Sequence, residues 1–171
     1  MQTSSRTFYE EVMMYYHIYQ LFLAPVPADE WATEYDFSEH PDAFPIARSI
    51  GTEEDRSSAI ARFGTWLAEQ RLGLLNDEMF TIDAKAADRY FEGRFTAFQQ
   101  AVTALQVLNE TQFIHDHDWV QALIDKLGNA FTAKYGDYVL LEDTLIPMEE
   151  FLRKAAPGAP YYFGAVFIYK N

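Results

Sequence analysis

The sequence predicts an α+β fold, with four or five helices packed around a small, antiparallel or mixed sheet of two to four strands. Three observations lead there. Phe91, Phe95, Phe98, Val102 and Leu105 recur at helical spacing within the stretch 83–108, which reads as one long amphipathic core helix. A nearly unbroken run of Tyr, Phe, Val and Ile over 161–169 reads as a strand covered on both faces. Prolines and glycines are dispersed with no linker, repeat or low-complexity tract, so residues 1–171 are expected to form a single globular domain.

Taken in order, Thr7 and Glu10 have the spacing of a capping box, and a helix over 8–23 follows with Phe8, Val12, Tyr15, Tyr19 and Phe22 on one face. Pro25 and Pro27 end it. The apolar run 12–24 follows Glu10 and Glu11 instead of a basic stretch, so it reads as a buried element and not as a secretion signal. It is also shorter than the roughly 20 apolar residues a bilayer crossing needs, so no membrane association is expected. Residues 29–55 show no clear period; their scattered aromatics suggest an ordered loop or short helical turns pinned to the body.

Thr52 then introduces a helix over 53–72 whose first turn is acidic, with Ile60, Phe63 and Leu67 inward. Gly73 stops it, and 74–82 suggests a short strand pair or a turn into one strand. After the long helix, Asp116 or Asp118 caps a further one that runs to about 134, carrying Val120, Leu123, Ile124, Leu127 and Phe131. Residues 138–141 are strand-like, Pro147 opens a short helix to about 155, and Pro157-Gly158-Ala159-Pro160 turns the chain into the final strand.

The formal net charge is −13, which argues against direct binding of nucleic acid or anionic lipid and permits a basic protein partner. Cysteine is absent, which removes disulfides, thiolate nucleophiles and cysteine-held metals, and fits a reducing, cytoplasmic setting. The charge is uneven. Between 29 and 55 stand nine acids (Asp29, Glu30, Glu34, Asp36, Glu39, Asp42, Glu53, Glu54, Asp55) against Arg48, a local net of −8. The remainder holds 17 acids and 12 bases. These nine residues are the candidate partner-binding set, and if displayed as a ridge they would imitate the phosphates of a nucleic acid strand. The character of the chain resembles nucleic-acid mimics in composition, with no shared motif.

Other chemistry is thinly marked. His115-Asp116-His117-Asp118 combines imidazoles and carboxylates in a pattern that a small metal-dependent enzyme would use, with Glu110 and His17 or His40 completing the ligands. The same residues also suit a polar helix start, and on a helix His115 and His117 diverge. Phosphate loops, dinucleotide fingerprints, nucleophile elbows and His-Glu-x-x-His are all missing. The expectation is a non-enzymatic protein that engages a basic partner and carries no cofactor; the aromatic content is compatible with a homodimer.

Overall fold

The computed structural model describes residues 15–37, 47–131 and 136–170. In chain order the elements are β1 (Tyr15–Phe22), 3-10 turns at Ala28–Glu30 and Glu34–Phe37, β2 (Arg48–Ser49), α1 (Glu53–Glu69), β3 (Gly73–Asn76), β4 (Met79–Ile82), α2 (Ala86–Gln106), α3 (Glu110–His115), α4 (His117–Phe131), β5 (Tyr138–Leu141), β6 (Thr144–Pro147), α5 (Met148–Lys154) and β7 (Pro160–Lys170). The strands form one sheet ordered β3-β4-β7-β1-β5-β6, with β2 paired to β7 beside β4. β1 and β5 run parallel; the other pairings are antiparallel.

The α+β class stands, but the expected sheet of two to four strands is corrected to seven, with five α-helices and two 3-10 turns among the described residues. Three strands account for the difference. Residues expected in the first helix form β1, and both of its faces are buried, so no polar alternation marks it. Ile18 packs with Phe37, Leu140 and Phe167 on one face, whereas Tyr19 and Leu21 meet α1 and α5 on the other. Residues 8–14 of that expected helix, and its Thr7–Glu10 cap, lie outside the described residues.

β6 follows β5 through Glu142 and Asp143, which both adopt positive φ (46° and 65°), the geometry of a tight hairpin that Asn-Gly usually marks. With acids in those positions the turn signal is absent. β2 has only two residues, too few to show any period.

β7 is flanked along its length by β1 on one side and by β4 and then β2 on the other. Between Tyr19 and Leu21 a bulge sets Gly164 and Ala165 of β7 opposite Gln20 alone. Buried Gln20 accepts hydrogen bonds at Oε1 from the backbone N–H groups of Ala165 (3.2 Å) and Ala32 (3.0 Å), closing the gap in the ladder. A Cβ at Gly164 would come within 2.8 Å of that oxygen.

α1 begins as its sequence demands: Thr52 and Asp55 form a reciprocal capping box. Ile60, Phe63 and Leu67 face Phe80, Phe163 and Tyr19 in the main core. α2 is a different matter. Of its residues only Ala86 and Ala101 are fully buried, and Phe95 is 60% exposed, so the helix expected at the centre of the core instead packs mainly with α4 and touches α5. The sheet's own aromatics fill the core in its place.

Candidate functional site

β1 and β5 start at the same end of the sheet because they are parallel, and this brings His17 next to Asp137 across 120 residues of chain. Above that end, the start of α5 and the facing sides of α1 and α2 enclose a cavity of about 410 Å³. Small-molecule sites commonly fall in the range of roughly 300–1,000 Å³. Phe63, Trp66, Tyr90 and Met148 supply apolar wall; His17, Tyr19, Arg62, Arg94, Asp137 and Glu149 bring polar groups to it.

The His17 backbone N–H donates to Asp137 Oδ1 at 2.8 Å. The imidazole Nε2 lies 3.0 Å from Arg62 Nη2. A guanidinium only donates, so Nε2 accepts, and the ring proton sits on Nδ1, which faces Asp137 Oδ1 at 3.7 Å. His17 also stacks on Tyr19 with centroids 5.6 Å apart.

Tyr19 is only 2% exposed and packs its ring against Phe63 and Phe163. Among the described residues its hydroxyl makes no hydrogen bond, and it is not among the fully enclosed polar atoms, so on the cavity wall it is open to an occupant of the cavity. Burial, with the charge of Asp137 adding to it and Arg62 opposing, pushes the pKa of the hydroxyl well up, so it stays a protonated phenol able to donate. At the other wall, Arg94 pairs with the mostly buried Glu149 and lies 5.2 Å from the centre of the Tyr90 ring. Burial raises the Tyr90 pKa as well, against the charge of Arg94.

The two lining arginines offset the two lining carboxylates, so the cavity is locally neutral on a chain of net charge −13. The sequence alone does not assemble this group: its members come from four elements and the residue just before β5, and His17 is marked there only as a completing metal ligand. No local motif signals it, since parallel pairing of β1 with β5 creates it.

The acidic candidates lie elsewhere. Glu39 and Asp42 fall outside the described residues. Asp29, Glu30 and Asp36 line a depression of about 380 Å³ together with Asp143, Gln20 and Leu140, and among the described residues no basic one lines it. Asp36 also accepts from the Thr33 backbone N–H at 2.6 Å, and Glu34 from that of Ser49 at 2.9 Å. Glu53, Glu54 and Asp55 form the first turn of α1, where Asp55 serves the cap and Glu53 binds Arg56. The Arg56 guanidinium sits 4.4 Å from the centre of the Trp31 ring, which joins the α1 acids to the 3-10 turns.

The His115–Asp118 cluster straddles a helix junction: His115 ends α3, Asp116 follows it, and His117 opens α4. His117 Nδ1 lies 3.5 Å from Asp118 Oδ1 with both side chains in solvent. No group of three or more His, Asp or Glu side chains placed to hold a metal occurs among the described residues. No helix among them is long and apolar enough to cross a membrane. Comparison with protein-family models, curated proteins and solved structures finds no match to this chain.

Proposed function

We propose that this protein binds a small organic molecule in the cavity between β1, β5, α1, α2 and α5. The observation that carries this reading is the convergence of polar side chains from separate elements on an aromatic-walled cavity, with the Tyr19 hydroxyl at its wall making no hydrogen bond to the described residues. A donor that bonds nothing in the protein and opens onto the cavity can turn to an acceptor on a bound molecule without breaking an internal hydrogen bond, a gain of about 0.5–1.5 kcal/mol. A fragment screen followed by amide and indole NMR shift mapping tests it. Hits should perturb His17, Tyr19 and the Trp66 indole together. Shifts confined to other surfaces, or a screen that yields no hit here, would reject the reading.

A second reading is the acid-rich face as a docking site for a basic protein, including a nucleic-acid-binding one for which the carboxylates stand in place of phosphates. What favours it is the depression lined by Asp29, Glu30, Asp36 and Asp143, with no basic residue on it among those described. Binding of this kind weakens as salt rises and as these residues become Asn or Gln. A partner recovered from lysate whose affinity ignores both changes would rule it out.

A further inference from the structure

Resting on the cavity reading, we infer that the ligand is an organic monoanion, a carboxylate on an aromatic or similarly flat apolar body, whose charged group is held by Arg62 and Tyr19. Arg62 is exposed on α1 and lines the cavity, and among the described residues it has no carboxylate within ion-pair reach. Its contact is the His17 imidazole, a neutral acceptor for one N–H, which an incoming carboxylate outcompetes because it adds the opposite charge and accepts two parallel N–H bonds from the guanidinium fork. The other cation on the lining, Arg94, is already matched by Glu149.

Tyr19 supplies the second donor. Its ring is locked between His17, Phe63 and Phe163, so the hydroxyl is held in place before a ligand arrives. Of the two carboxylates that line the cavity, Glu149 is paired with Arg94, which leaves Asp137 as the unfavourable charge among the described residues. It is turned towards His17, accepting the backbone N–H and facing Nδ1, which leaves the Arg62 side of the cavity as the anion's place. Phe63, Trp66 and Tyr90 form a connected aromatic wall, with Trp66 centred 5.5 Å from Phe63 and 6.1 Å from Tyr90, against which a flat ring packs.

Benzoate and its uncharged analogue benzamide are suitable probes, titrated by NMR against the full chain. Benzoate should bind about tenfold more tightly than benzamide, the usual worth of one charge-assisted hydrogen bond. Arg62→Gln should erase that preference, Tyr19→Phe should weaken benzoate about fivefold, and Arg48→Gln, an exposed arginine away from the cavity, should change neither. Equal binding of the two probes at the cavity, or a preference that survives Arg62→Gln, overturns the anion assignment and leaves the cavity reading standing. Failure of both probes to perturb His17, Tyr19 and Trp66 counts against the assignment and the cavity reading together.

Discussion

Arg56 of α1 grips Glu78, in the turn between β3 and β4, through two parallel hydrogen bonds, Nη1 to Oε1 at 2.6 Å and Nη2 to Oε2 at 3.0 Å. The same guanidinium donates to the backbone carbonyls of Gly164 (2.8 Å) and Phe163 (3.2 Å), so one buried cation ties α1 to the β3–β4 hairpin and to the bulge in β7. The two partners are unequal. Arg56 is buried, whereas half of the Glu78 side chain is exposed.

Arg56→Ala should therefore cost about 2–4 kcal/mol, because it strands two buried carbonyls as well as a carboxylate, while Glu78→Gln should cost about 1 kcal/mol or less. Urea titration of both variants checks the ranking. Equal midpoints would mean that the carbonyl contacts contribute little.

A pH dependence follows from the same pair. Hydrogen bonding to Arg56 is the main reason the Glu78 carboxyl titrates below its ordinary value of 4.5. A carboxyl depressed in the folded state contributes stability that is fully present above the unfolded pKa and is lost as pH falls through the folded one. Stability of the wild-type chain should thus drop below about pH 4.5 more steeply than that of Glu78→Gln. Thermal melts between pH 3 and 6 measure the difference, and parallel curves would dismiss the contribution.

The Tyr19 hydroxyl offers the opposite case. Since it has no partner among the described residues, Tyr19→Phe keeps the ring packing and breaks no internal hydrogen bond, so the unliganded protein should melt at the same temperature or slightly higher. A clear loss of stability would reveal a hydrogen bond within the protein and weaken the ligand argument.

Gly73 lies where the backbones of β3 and β4 meet, and a Cβ there would stand 2.0 Å from the Thr81 carbonyl oxygen. Backbone cannot step aside as a flexible side chain can, so Gly73→Ala should destabilise by roughly 3 kcal/mol. Gly93→Ala, with nothing within 4 Å of the added carbon, should be neutral or mildly stabilising in α2. Chemical denaturation separates the two.

Two phenylalanines test where the core lies. Phe80 is fully buried among Phe63, Phe151, Tyr161 and Phe163, so Phe80→Ala should cost about 3–5 kcal/mol. Phe95, 60% exposed on α2, should tolerate the same change with a loss of about 1 kcal/mol or less. Similar losses at both would return α2 to the centre of the fold.

The elements that were legible in the chain are those whose signals are local. Thr52 and Asp55 mark the start of α1 because a capping box is satisfied within one turn, and the aromatic run of 161–169 marks β7 because few other elements hold so many β-branched and aromatic residues in succession. Acidity and the absence of cysteine are likewise properties of composition alone. Tertiary structure alone decided the rest. β1 shows the apolar spacing of a helix as readily as that of a strand buried on both faces, and only pairing with β5 and β7 chooses between them. The Phe stripe of α2 announces a helix but not how deeply it sits, since burial depends on what packs against it. His17, Tyr19, Arg62 and Asp137 have no meaning as neighbours in sequence; a parallel strand pair places their atoms within reach, and hydrogen bonds of about 3 Å are made by position in space, not by spacing along the chain.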